Sequence, residues 1–132
     1  MSKFCIVEFD GSSKGNPGKG GVGAVIRNSM GDVGCVNKPL GFTTNNAAEY
    51  EGLALGLQEA TKLGYTEIQA RGDSKLVCNQ VDESWAVRSR NLYEPNRRVN
   101  DLIRGLDKFD IYHVPREYNT EADAEVNKAA NF

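Results

Sequence analysis

Residues 4–18 read Phe4-Cys5-Ile6-Val7-Glu8-Phe9-Asp10-Gly11-Ser12-Ser13-Lys14-Gly15-Asn16-Pro17-Gly18, an aromatic and β-branched run that ends on an acid and then breaks into glycine, serine, asparagine and proline. Its first seven residues predict a strand, Gly11-Ser12-Ser13 a polar turn, and Gly15-Asn16-Pro17-Gly18 a loop. Period-two alternation puts Asp10 on the same side as Ile6, so a carboxylate is delivered at the strand's end.

Outward from that strand, residues 21–27 and 31–36 are strand candidates joined by Asn28-Ser29-Met30-Gly31, which predicts an antiparallel meander of three strands. Thr43-Thr44-Asn45-Asn46 offers several capping side chains before a helix over 47–63, where Leu53, Leu57 and Ala60 recur at helical spacing and Gly64 closes the run. A strand at 66–71, a short helix at 74–81, an amphipathic helix at 92–106, a strand at 110–114 and a closing helix at 119–130 complete the reading. Strands first, then helices alternating with strands, imply an α/β fold. The expected core is a five-stranded mixed sheet, its first three strands antiparallel and its last two parallel to the first, flanked by helices through right-handed crossovers.

The chain has 132 residues, 26% charged and 39% hydrophobic, which is the composition of one globular domain spanning 1–132. No repeat, low-complexity tract or linker interrupts it, and no stretch is long and apolar enough to span a membrane. Met1-Ser2-Lys3 leads straight into the first strand without signal-peptide character, so a cytoplasmic or nuclear setting is expected. Cys5, Cys35 and Cys78 fit neither a disulfide framework nor a CxxC metal site and are read as reduced, mostly buried thiols. A net charge of -2 excludes a surface that is basic throughout, so any nucleic-acid binding has to come from a local patch.

Four acids stand out. Glu49 precedes Leu53 and Leu57 at i+4 and i+8, which places a carboxylate on a helix face expected to meet the core, where it needs a partner or a metal. Asp73 follows Arg71-Gly72 at a strand–helix junction, where capping the helix that begins at Ser74 is the stronger local reading. Asp123 lies early in the closing helix, where the helix dipole alone explains an acid. The mixed sheet can nevertheless bring the ends of its first and fourth strands together, with Glu49 and Asp123 aimed at the same edge. Close-packed carboxylates repel unless cations neutralise them, and oxygen ligands favour Mg2+ or Mn2+ over zinc, which points to phosphoryl transfer.

Residues 9–18 (Phe9 to Gly18), 43–49 (Thr43 to Glu49), Gly72-Asp73-Ser74 and Asn119-Thr120-Glu121-Ala122-Asp123 together resemble the type 1 ribonuclease H family, in order and spacing along nearly the whole chain. The resemblance implies an endonuclease that hydrolyses the RNA strand of RNA–DNA hybrids. Asp10, Glu49, Asp73 and Asp123 would be its catalytic residues and the ligands of two Mg2+ ions, with Mn2+ a possible substitute, and Asp10 would bridge the pair. In two-metal hydrolysis one ion aims a hydroxide at phosphorus and the other stabilises the leaving 3′ oxygen, so the products carry 5′-phosphate and 3′-hydroxyl ends.

Asn16, Asn45 and Asn46 match positions that read ribose 2′-hydroxyls in the minor groove, a task amides suit because they donate and accept. Gly11, Ser12 and Ser13 would let the backbone approach the strand, and Thr44 matches a position that contacts a DNA phosphate; the plain alternative is a set of turn and cap residues. The partner is thus an RNA–DNA hybrid, bound by a monomer with no membrane involvement.

The chain departs from many family members in three places. Pro115-Arg116-Glu117-Tyr118 stands where they carry a flexible loop with a histidine, and His113, the single histidine, is expected to be a packed strand residue and not a base. The basic handle of some relatives is replaced by residues 83–90, where Arg88 and Arg90, with Arg97, Arg98, Trp85 and Tyr93, offer a phosphate-binding edge amid acids. Lys75 stands where glutamine is common, exchanging an amide contact for a point charge. A hybrid- or RNA-binding module that does not cut is the alternative, and another nuclease of the wider superfamily a third reading, which the Asp10-Gly11-Ser12 to Asn16-Pro17-Gly18 turn opposes.

Overall fold

The computed structural model describes residues 3–130, with the side chain of Ala130 outside the description, so the expectations for Met1-Ser2 and the last two residues fall outside it. Five strands and four α-helices follow in the order β1 (Phe4–Lys14), β2 (Gly18–Asn28), β3 (Gly31–Thr43), α1 (Asn45–Lys62), β4 (Glu67–Gly72), α2 (Lys75–Val81), α3 (Tyr93–Arg104), β5 (Lys108–His113) and α4 (Thr120–Ala130). The sheet order is β3-β2-β1-β4-β5. β1–β2 and β2–β3 pair antiparallel, while β1–β4 and β4–β5 pair parallel. This is the predicted mixed sheet.

Gly11-Ser12-Ser13 is strand and not turn. β1 runs on to Lys14, with Ser12 paired to Gly21 and Ser13 to Gly20, because β2 offers glycines there that let a polar strand end zip closed. The chain reverses only at residues 15–17. The parallel ladder with β4 is shorter, running from Phe4↔Glu67 to Glu8↔Arg71, so Phe9 and Asp10 lie past its last pair.

Helix α1 covers one face of the sheet and carries α2 and α3 beside it, while α4 lies across β1, β2 and β3 on the other. Val7, Phe9, Ile26, Leu53, Leu57, Ile68, Val77 and Val99 build the core on the α1 side. α1 sits close on β1: a Cβ at Gly52 would overlap the Asp10 carbonyl, so that contact is open to glycine alone. α4 docks equally close, since a Cβ at Gly23 would strike Glu125 and the Val126 backbone. Gly23 is the partner of Asp10 across β1 and β2, so both close approaches converge on the same point of the central strand.

Two further expectations change. Ser74, not Asp73, caps α2, its hydroxyl accepting from the Val77 N–H at 3.3 Å, because the extended residue directly before the first turn is the one that reaches it. His113 is the last residue of β5, paired with Gly72, but it is exposed because β5 is the outer strand of the sheet. Cys5 and Cys78 are buried as expected and Cys35, on edge strand β3, is exposed.

Candidate active site

Three acids meet where β1 outruns its parallel ladder. Asp10 comes from β1, Glu49 from the first turns of α1 and Asp73 from the turn between β4 and α2. One carboxylate oxygen from each lies within 4.8 Å of the other two. Asp123, in the first turn of α4, stands near enough to add to the electrostatic load on Asp10.

Asp10 is 2% and Glu49 7% exposed, and no cationic side chain among the described residues pairs with either. Burial, with Asp73 and Asp123 nearby, pushes the Asp10 carboxyl up to about 6. Burial first, then the charge of Asp10 and of Asp73, raises Glu49 well above the ordinary carboxylate range. A single backbone donor offers relief, the Gly11 N–H 2.9 Å from Asp10 Oδ1. Glu49 Oε2 is buried without any hydrogen-bond partner. Oxygen donors alone, crowded and short of positive charge, with one buried carboxylate oxygen left unpartnered, fit a hard divalent cation. Sulfur and imidazole are absent from the set, which disfavours zinc.

An exposed polar rim adjoins the acids. Asn45 Oδ1 accepts from the Ser13 N–H at 2.9 Å, and Asn16 Oδ1 accepts from the Asn45 N–H at 3.0 Å. Both acceptor oxygens are thereby spent on holding the β1–β2 hairpin against the start of α1, while the two amide NH2 groups have no protein acceptor among the described residues. Asn46 is exposed in the first turn of α1. Thr44 caps α1, accepting from the Ala47 N–H, and also accepts from Asn91 Nδ2, each at 3.2 Å. Ser12 is half-buried, whereas Gly11 is buried beneath α1, where a Cβ would overlap the Ala48 carbonyl. The missing side chain of Gly11 therefore serves helix packing.

The arginine edge is only half free. Arg97 is bound to Glu94 and Asp101, and Arg98 to Glu51 and Glu94. Arg88 and Arg90 are exposed and make no ion pair among the described residues; Arg88 and the 46% exposed Trp85 line a hollow between α2 and the segment that follows it. Lys75 is exposed on the first turn of α2.

Sequence reasoning missed Asn119. It stands one residue before α4, is 1% exposed, and its amide donates to Asp73 Oδ2 and to the Phe9 carbonyl. An asparagine ahead of a helix reads as an ordinary cap, and nothing local distinguishes the two cases.

Residues 8–129 match the family model described as Reverse transcriptase-like. The chain is 41% identical over 124 residues to Ribonuclease HI of Halobacterium salinarum, an alignment covering 92% of this chain and 61% of that protein. It thus spans about three fifths of that curated relative. The crystal structure of RNase H1 from the same halophilic archaeon superposes with a TM-score of 0.94 at 38% identity, covering 98% of each chain. LC11-RNase H1, solved in complex with an RNA/DNA hybrid, superposes with a TM-score of 0.91 at 31% identity, covering 96% of each chain.

Proposed function

The chain belongs to the type 1 ribonuclease H family, and from that premise we propose that it is an endonuclease cutting the RNA strand of RNA–DNA hybrids. The observation that carries this reading is the cation-starved cluster of buried Asp10 and Glu49 with half-buried Asp73, with Asp123 beside it and an exposed amide rim alongside. The relative solved with a hybrid supports the choice of substrate.

Asp10, Glu49, Asp73 and Asp123 would hold two divalent cations, Mg2+ with Mn2+ as substitute. When bound, these supply an activated water and charge stabilisation of the leaving oxygen, which leaves 5′-phosphate and 3′-hydroxyl ends. The protein's own part is to keep the carboxylates dry and fixed. α1 closes over β1 at Gly11 and Gly52, so Glu49 has no solvent to retreat into, and Asp10 is held on a strand paired on its β2 side. Preorganised acids of this kind spend their reorganisation cost in folding and not at the moment of reaction.

Recognition falls to the rim. The spare NH2 donors of Asn16 and Asn45, with the exposed amide of Asn46, suit 2′-hydroxyls of the RNA strand, and this distinguishes a hybrid from duplex DNA. Thr44 faces the DNA phosphate in this reading, while Ser12, Ser13 and the Gly11 backbone border the scissile strand. One catalytic domain, acting as a monomer, accounts for all of these roles. No helix among the described residues is long and apolar enough to cross a membrane.

The test is incubation with a labelled RNA–DNA hybrid, duplex RNA and single-stranded RNA in Mg2+, Mn2+ or EDTA, beside an Asp10→Asn variant. Cutting of the hybrid's RNA strand alone, lost in EDTA and in the variant, is the expected result. Metal-replete protein that binds the hybrid and leaves it intact would replace the enzyme with a binding module.

A further inference from the structure

The Asn119 side chain makes two hydrogen bonds, and each ends on an acid of the cluster or on its neighbour. Its Nδ2 donates to Asp73 Oδ2 at 3.2 Å and to the carbonyl of Phe9, the residue before Asp10, at 2.9 Å. Its main-chain N–H donates to the Arg116 carbonyl at 2.9 Å and its main-chain carbonyl accepts from the N–H of Asp123 at 3.1 Å, the ordinary bond of a first helical turn that any residue here would make. The Phe9 carbonyl lies past the last paired residues of β1 and β4, Glu8 and Arg71, so the Asn119 side chain bridges the gap that opens between the two strands at the acids.

Both partners of the side chain are acceptors, so the amide has one permissible orientation: nitrogen toward Phe9 and Asp73, oxygen away. That leaves Oδ1 buried without a partner. An apolar residue of similar size would fill the space without an orphaned oxygen, so packing alone does not explain an amide here. A lysine or arginine would also reach Asp73, but its charge would neutralise the carboxylates and oppose cation binding. A neutral double donor is what fixes an acid in place and leaves its charge available.

We propose that Asn119 is a positioning residue whose side chain, held at the start of α4, sets the spacing of Asp10 and Asp73 by hydrogen-bonding the strand and the turn that carry them, and so sets the strength of divalent-cation binding. The proposal rests on the reading of the cluster as a cation site. Groups that orient metal ligands in this way contribute about 10- to 100-fold in affinity or activity when removed.

The experiment is calorimetric titration of the full chain with Mn2+ alone, for wild type, Asn119→Leu, Asn119→Ser and Val99→Ala, with circular dichroism and thermal unfolding on each. Val99 is wholly buried in α3 and reports general destabilisation. The expected result is Mn2+ affinity at least about tenfold weaker in each folded Asn119 variant and unchanged in Val99→Ala, with kcat on the hybrid reduced and KM retained. Wild-type affinity in a folded Asn119 variant, an equal loss in Val99→Ala, or failure of both Asn119 variants to fold would overturn the proposal. Wild-type protein that binds Mn2+ but leaves the hybrid uncut would overturn the assigned activity and leave this inference standing.

Discussion

Asp10 and Glu49 are placed where the fold is worse off for having them charged. The Asp10 carboxyl is raised from 3.8 to about 6 in the folded protein, chiefly by burial, so the metal-free fold binds its proton more tightly than the unfolded chain does. That contribution is fully present below the unfolded value and is lost as pH rises through about 6. Asp10→Asn, which keeps the side chain neutral at every pH, is therefore expected to match metal-free wild type near about pH 4 and to exceed it by about 1 to 3 kcal/mol at about pH 7. Denaturant unfolding in EDTA at both pH values measures the difference; an advantage that shrinks as pH rises would refute the electrostatic account. His113 lies at the exposed end of β5 and holds no acid or rim residue by a hydrogen bond that the structure shows. Steady-state cleavage by His113→Ala should stay within about threefold of wild type, a residual of under 1 kcal/mol in transition-state energy; a loss of a hundredfold would make it the proton carrier that the short 115–118 segment otherwise omits.

At the scale of elements, the segment between α2 and α3 is where the proposed function would have the substrate gripped. Tyr50, Gln80 and Asn96 form a hydrogen-bonded chain linking α1, α2 and α3, and Gln80 Nε2 donates to the Ala86 carbonyl, so this segment is tied to the core at its middle. Asn91 then ties its far end to Thr44 at the cap of α1. Trp85, Arg88 and Arg90 are thus presented on a braced loop, while Arg97 and Arg98 are occupied in bracing α3. Hybrid-binding assays across a salt series separate the two pairs. Arg88→Ala and Arg90→Ala should each weaken binding and lower the slope of log affinity against log salt by about 1, whereas Arg97→Ala should leave the slope unchanged. A slope that responds to Arg97 instead would place the phosphates on α3.

On the scale of the whole molecule, the proposed cation site would couple function to stability. Two helices dock on opposite faces of β1 and β2, at Gly52 and Gly23, which brings Glu49 of α1 against Asp10 and sets Asp123 of α4 near it. A cation held there would join β1, α1 and the turn after β4 and would favour the native state over the unfolded one by mass action, by about 2.7 kcal/mol at a hundred times its dissociation constant. The thermal midpoint of the wild-type protein should therefore rise with Mg2+ or Mn2+ and fall back in EDTA, and Asp10→Asn should lose most of that response. An equal rise in the variant would locate the cation elsewhere.

The amino-acid sequence by itself determined the element order, the mixed sheet and the three acids that the structure brings together, because each left a periodic or positional trace: alternation in residues 4–10, helical spacing behind Glu49, and the ordered motif around Asp73. Glu49 was legible on its own, since a charge on an apolar helix face contradicts local preference. Other features depended on contacts between distant segments and left no local trace. Gly11-Ser12-Ser13 reads as a turn until β2 pairs with it, and Asp73 reads as a cap until Ser74 takes that place and Asn119, 46 residues away, takes the carboxylate. The division of the arginines was equally hidden, because Glu51 of α1 reaches Arg98 only once α1 and α3 pack together. Local propensity is a property of neighbouring residues in the chain, whereas hydrogen bonds and ion pairs across 30 to over 100 positions exist only when the fold has closed the distance.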